Sequence, residues 1–255
     1  MLKNDNKVAI VTGASSMIGR EVIKEFIGKN IQNIAITRNK NNFEQMLKKD
    51  GIPIDSVTIV ESDIMNLEIT KKILDSTIQL HGKKIHILIN AAGKFYHKPT
   101  LEMEINDFCS ALNDNLVSAF SVTKIVLPYM IAQRNGSIIN VSSILGIKSL
   151  PNTSCIGYGV AKAGLIQMTK LLAAEMAPYN IRVNCVCPGI LNPMSDQYDH
   201  QHYQEMQTRK NYLDIQPIKR LGQAAEVASA IAFLSGEESS WTTGSILTID
   251  GGMVL

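Results

Sequence analysis

Tyr158 and Lys162 stand four residues apart in GYGVAKAG, residues 157–164. If that stretch is helical, the two side chains share one face. A free phenol titrates near 10, and an ammonium close by favours the phenolate and lowers that value. Lowering it by about three units takes roughly 4 kcal/mol, at about 1.36 kcal/mol per unit. The product would be a general acid/base usable near neutral pH. A tyrosine and a lysine at this spacing also fit an ordinary surface pair, so the pair alone decides nothing.

A second stretch suggests what such a base would work beside. KVAIVTGASSMIGR, residues 7–20, reads as a strand, a glycine turn and the start of a helix. Backbone N–H groups at that helix start would face an anion, and the helix dipole favours negative charge there. Gly13 and Gly19 would permit the tight turn, with Ser15, Ser16, Met17 and Ile18 between them against a dinucleotide pyrophosphate. The next strand ends in AITRN. An acidic residue about 20 residues past the glycine turn holds a ribose 2′-hydroxyl, whereas arginine accommodates a 2′-phosphate. Positions 36–39 hold no carboxylate, and Arg38 is there. NADP(H) is therefore expected in preference to NAD(H), which stays possible. An oxidised nicotinamide ring would add positive charge to that of Lys162 in lowering the tyrosine.

The elements that must position these residues alternate along the chain. Apolar, β-branched runs at 7–12, 33–37, 57–61, 85–90, 137–142, 181–186 and 245–250 do not alternate with polar residues. They read as strands buried on both faces, as in a parallel sheet covered by helices. Helical patterns lie near 17–29, 66–80, 100–133, 158–178 and 223–235. The expected fold is α/β: a single-domain, doubly wound Rossmann-type parallel sheet of about seven strands. No linker-like tract or internal repeat divides residues 1–255. The irregular stretch is 190–218, polar and aromatic, with Tyr198, His200, His202, Tyr203 and Tyr212. A long segment of this kind in a compact domain is usually functional, and a substrate lid is expected. His200 and His202 have the look of a metal pair but read better as surface histidines, so no metal is expected.

Composition excludes several classes. Hydrophobic residues make up 45% and charged residues 19%, with a net charge of +2. That balance gives no electrostatic case for nucleic acid or an anionic membrane. No apolar run stands out as a membrane span of roughly 20 residues, and MLKNDNK lacks the apolar core of a signal peptide. Of the four cysteines, Cys185 and Cys187 share one face of a strand and read as small buried side chains. A reduced, cytoplasmic setting fits.

The chain resembles the short-chain dehydrogenase/reductase family over essentially its full length, most of all the group that includes 3-oxoacyl-[acyl-carrier-protein] reductases. The pieces occur in family order: TGASSMIG, SDI at 62–64, NAAG at 90–93, Asn115 in NDNLVSAF, IINVSSILG, YGVAK, NCVCPG, and RLGQAAEVASAIAFLSG followed by TGSILTIDGG. The resemblance implies that Tyr158 donates a proton to a substrate carbonyl and that Ser143 hydrogen-bonds its oxygen. Lys162 would bind the nicotinamide ribose and lower the tyrosine pKa, and Asn115 would hold a water in a proton relay. Asp63 and Ile64 would lie at the adenine. Asn90, Ala91, Ala92 and Gly93 would line the floor, and Pro188, Gly189 and Ile190 would approach the nicotinamide. It also implies a small-molecule carbonyl or alcohol substrate. A homotetramer, or failing that a dimer, would form through helices near 100–133 and 158–178 and the C-terminal strand.

Four features depart from the family pattern. Met17 replaces the middle glycine of the turn, and this is expected to crowd the pyrophosphate without forbidding the backbone, because methionine is a good helix former. Ser16 stands where NADP-preferring relatives often carry Lys or Arg. The stretch between Ser143 and Tyr158 is slightly long, and after PGI the chain reads LNPM where a threonine is often found. The polar lid suggests a hydroxylated or sugar-like carbonyl substrate, against the 3-oxoacyl thioester that the group itself suggests. The rival reading is a non-catalytic binding or regulatory protein on the same fold. Met17 argues for it, and the retention of Asn115, Ser143, Tyr158 and Lys162 argues against it.

Overall fold

The computed structural model describes residues 7–82, 84–150, 153–192, 213 and 216–255. Most of the expected lid, with Tyr198, His200, His202, Tyr203 and Tyr212, lies outside the described residues.

Seven parallel strands form one sheet in the order β3-β2-β1-β4-β5-β6-β7. They are β1 (Val8–Thr12), β2 (Gln32–Thr37), β3 (Val57–Glu61), β4 (Ile87–Asn90), β5 (Gly136–Val141), β6 (Ile181–Pro188) and β7 (Ile246–Ile249). Strands β1, β4 and β5 are buried throughout, as their unbroken apolar runs require when helices cover both faces. One layer of core gathers around Phe26, Phe43 and Ile231, the other around Leu74, Val126 and Met176.

Among the described residues the named helices are α1 (Met17–Gly28), α2 (Lys40–Lys49), α3 (Leu67–Leu80), α4 (Ile105–Leu112), α5 (Ser118–Gln133), α6 (Ile156–Met176) and α7 (Ala224–Ser235). Helix α2 has no counterpart in the expected elements. Its sequence is polar, and only Phe43 and Leu47, four residues apart, are buried. Asn39 caps it by accepting from the Asn42 N–H at 2.9 Å, so two core anchors and one cap suffice. The stretch expected as one helix over 100–133 starts at Ile105 and is interrupted by a π-helical turn, Asn113–Val117. Residues Ile105–Gln133 are long and apolar enough, by length and composition, to cross a membrane, and the sequence reading passed over this. Half of their apolar 18-residue window is buried inside the fold, where Val122, Val126 and Met130 pack on the sheet.

The strand order determines where a ligand can sit. From β1 the chain moves outward to β2, whereas β4 lies on the other side of β1. A crevice opens outside the carboxyl ends of the strands at such a switch point.

Candidate active site

The glycine turn after β1 meets the loop after β4 at that crevice. Thr12 closes the junction: its hydroxyl donates to the Ile89 carbonyl at 3.3 Å and accepts from the N–H groups of Ala91 and Ala92 at 3.1 and 3.2 Å. Gly13 has φ +61°, and a Cβ there would stand 2.6 Å from the Ala91 oxygen. Gly19 is as confined, since its Cβ would lie 2.4 Å from the Gly13 oxygen. These two glycines are therefore required by close packing. Position 17 is different. Met17 opens α1, and its φ is not positive. Ser16 caps the helix by accepting from the Gly19 N–H at 3.0 Å, a stabilising arrangement.

An open cleft runs over the strand ends. Of the expected cofactor residues, Gly13, Ser15, Ser16, Arg38, Asp63, Ile64, Ala91, Ala92 and Gly93 line it. Met17, Ile18, Gly19, Tyr158, Lys162, Pro188, Gly189 and Ile190 do not, and Asn90 lies beneath it. The Asn90 amide is buried and donates to Thr123 at 3.0 Å and to Asn140 at 2.9 Å, tying β4 to α5 and β5. The lining also includes Thr37, Met46, Lys94, Asp114 and Ser118, which the sequence reading missed. Lys94 directly follows NAAG and Asp114 directly precedes Asn115, so adjacency to a motif was the available signal.

At the end of β5 the chain turns through Ser143, which accepts from the Leu145 N–H at 3.2 Å. Ser142 donates to the Lys162 carbonyl at 2.8 Å and so clamps α6 against this turn. The Ser143 hydroxyl lies close enough to the Tyr158 phenol to favour its ionised form. Lys162 is buried, with its ammonium 5.5 Å from the centre of the Tyr158 ring and donating to the Val141 carbonyl at 2.9 Å. Phe95, half-exposed, meets Tyr158 edge-on at 5.0 Å between ring centres.

The electrostatics differ from expectation in one respect. Burial pushes the Tyr158 phenol up to about 12, and the Ser143 hydroxyl opposes this without overcoming it. Burial also pulls Lys162 down to about 8. In the protein alone Ser143, not Lys162, is the group that lowers the phenol, and desolvation of the phenolate outweighs it.

Asn115 sits in the π-helical turn, fully buried. Such turns recur at functional sites. Its side chain is committed: it accepts from the Lys94 N–H at 3.1 Å and donates to the carbonyls of Lys94 and Ala111 at 2.8 and 3.0 Å. A Cβ on Gly93 would come within 2.5 Å of this amide and 3.3 Å of the Lys162 nitrogen. The glycine thus lets the β4 loop lie against both.

On the far side, Pro188 ends β6, Gly189 donates to the Ile249 carbonyl at 2.9 Å, and Ile190 packs with Ile144, Leu150 and Met253. Cys185 and Cys187 are buried on one face of β6 with sulfurs 4.0 Å apart, as their spacing implied. The donor set fits a dinucleotide: a helix N-terminus behind a tight glycine turn, hydroxyls at Ser15 and Ser16, a cation at Arg38 and a carboxylate at Asp63, all along one cleft.

A family model described as enoyl-(acyl carrier protein) reductase matches residues 13–254. The 3-oxoacyl-[acyl-carrier-protein] reductase of Thermotoga maritima is 36% identical over 100% of both chains. The 7alpha-hydroxysteroid dehydrogenase of Paraclostridium sordellii is 34% identical over 99% of this chain and 93% of its own. A solved structure assigned to the short-chain dehydrogenases/reductases of Burkholderia xenovorans superposes with a TM-score of 0.86 at 30% identity, covering 99% of this chain and 98% of that one.

Proposed function

The chain belongs to the short-chain dehydrogenase/reductase family and is an oxidoreductase, and we propose that it interconverts a carbonyl and a hydroxyl with NADP(H), using Tyr158 as general acid/base. The observation that carries this reading is the meeting of Ser143, Tyr158 and Lys162 behind Gly93, which lines the cleft.

A bound nicotinamide would supply or accept the hydride. The chain supplies the proton and the orientation. The Tyr158 hydroxyl gives its proton to the substrate oxygen, and the Ser143 hydroxyl donates a hydrogen bond to the same atom. A phenol raised to about 12 is protonated at neutral pH, so the free protein holds the proton that a carbonyl reduction needs. Lys162 binds the ribose, and with a pKa of about 8 it exchanges protons readily near neutral pH. Asn115 positions the β4 loop through Lys94 and, as the resemblance implies, holds a relay water.

Arg38, at the cleft and with no carboxylate beside it in sequence, supports NADP(H) over NAD(H). The 3-oxoacyl thioester is the first substrate class to try, because the Thermotoga relative carries that name. Half-exposed Phe95 against Tyr158 also supports a substrate with an apolar part next to its carbonyl. A sugar-like substrate rested on lid residues that lie outside the described set. The protein acts in the cytoplasm as a homotetramer: Leu101, Ile105, Phe120 and Leu171, on or beside α4, α5 and α6, are exposed apolar side chains, more suited to an interface than to water. The non-catalytic reading loses support because the relatives are named oxidoreductases.

The deciding experiment follows NADPH consumption by absorbance with acetoacetyl and longer 3-oxoacyl thioesters, cyclic ketones and keto-sugars. Consumption with none of them would sink the proposal.

A further inference from the structure

Two cations face the same cleft from different strands. Arg38 follows β2 and Lys94 follows β4, and both line the cleft. Both side chains are exposed, and among the described residues neither is in a salt bridge. The cleft also holds two carboxylates, and each is already engaged. Asp63 accepts from the Met65 N–H at 3.0 Å, and Asp114 accepts from the Tyr96 hydroxyl at 2.7 Å.

Lys94 is held more firmly than an ordinary surface lysine. Asn115 grips its backbone on both sides, through N–H and carbonyl. Its ammonium lies 5.0 Å from the centre of the Tyr96 ring, close enough for a cation–π attraction. The Tyr96 hydroxyl in turn ties up Asp114. One tyrosine thus props the lysine and keeps the acid occupied. Arg38 belongs to the same neighbourhood, because its charge opposes the burial and the Asp114 bond that raise the Tyr96 phenol. A long side chain oriented in advance loses less freedom on binding than a loose one.

We propose that Lys94 is a second phosphate-binding cation, which shares the 2′-phosphate of NADP(H) with Arg38. This rests on the NADP(H) reading above. A phosphate monoester carries nearly two negative charges at neutral pH, so one arginine leaves part of that charge uncompensated. Ser16 cannot supply the remainder, since it carries no charge and its hydroxyl caps α1. Lys94 replaces, from across the cleft, the cation that is missing at position 16.

The test is a titration of the full chain with NADPH and NADH, by nicotinamide fluorescence, at two salt concentrations. Wild type, Lys94→Met and Lys94→Arg are compared. Lys94→Met keeps the length of the side chain and leaves the backbone bonds to Asn115 in place. It should weaken NADPH about ten- to hundredfold, the range of one charge-assisted hydrogen bond, and change NADH less than about twofold. Its NADPH affinity should also fall less steeply with salt than that of wild type. Lys94→Arg should keep most of the preference for NADPH. Equal losses for both cofactors, or no loss for either, would overturn the role of Lys94 and leave the NADP(H) reading standing. A wild type that binds neither cofactor would overturn both.

Discussion

The Lys162 ammonium lies 5.5 Å from the centre of the Tyr158 ring and spends a hydrogen bond on the Val141 carbonyl at 2.9 Å. The two catalytic candidates are neighbours, yet burial moves their pKa values in opposite directions, the phenol to about 12 and the ammonium to about 8. Each group is pushed toward its neutral form, as desolvation requires.

Removing the phenol should remove the chemistry. Tyr158→Phe is expected to lower kcat by at least about 10²-fold, the usual contribution of a positioned acid, with NADPH affinity roughly intact. Lys162→Ala should damage both turnover and binding. Steady-state kinetics beside cofactor titration separates the two, and a Tyr158→Phe protein with most of the wild-type rate would refute the mechanism.

Lys162 gives a pH dependence with a definite sign. Its folded pKa of about 8 lies below its ordinary value of 10.5. Below pH 8 both folded and unfolded chains bind the proton, and the full penalty of burying the charge applies. Between 8 and 10.5 the unfolded chain binds more protons, so stability rises with pH. Urea unfolding should therefore show wild type gaining on Lys162→Met as pH rises from 8 to 10.5. An unchanging difference would show that the lysine is not depressed.

Arg38→Ala should weaken NADPH by about tenfold or more and leave NADH nearly unchanged, because only the former carries the 2′-phosphate. Calorimetric titration with both cofactors decides it, and equal losses would remove Arg38 from phosphate recognition.

Met17→Gly should tighten NADPH a fewfold. Met17 opens α1 outside the cleft lining, so the gain rests on closer approach of the helix N–H groups to the phosphate, against a helix-propensity cost of at most about 1 kcal/mol, less at the first position. Titration of both proteins in the same salt checks this. Unchanged or weaker binding would mean that methionine is accommodated without penalty.

Light scattering at micromolar concentration should report a homotetramer. Phe120→Glu, which places a charge on the exposed apolar face of α5, should shift it toward smaller species. A monomeric wild type would contradict the assembly.

Much of the site was legible in the sequence because its determinants are local. Tyr158 and Lys162 meet through helix periodicity, and the seven strands announce themselves as apolar runs. Gly13 and Gly19 mark a turn whose close contacts leave no room for a Cβ. Helix α2 was illegible because two buried side chains in a polar stretch make no periodic signal. The π-helical turn at Asn113–Val117 was illegible too, since nothing in NDNLV departs from an α-helical pattern.

What only the tertiary structure decided depends on partners distant in the chain. Strand order brings the β4 loop onto the β1 turn, so Lys94 faces the same cleft as Arg38, 56 residues earlier. Asn115, a relay residue by resemblance, is also the clasp that holds the Lys94 backbone. The direction of the Tyr158 shift was likewise out of reach of spacing. Spacing places an ammonium near a phenol, but how far each is withdrawn from water is set by the strands and loops packed around them, and here that withdrawal is the larger effect.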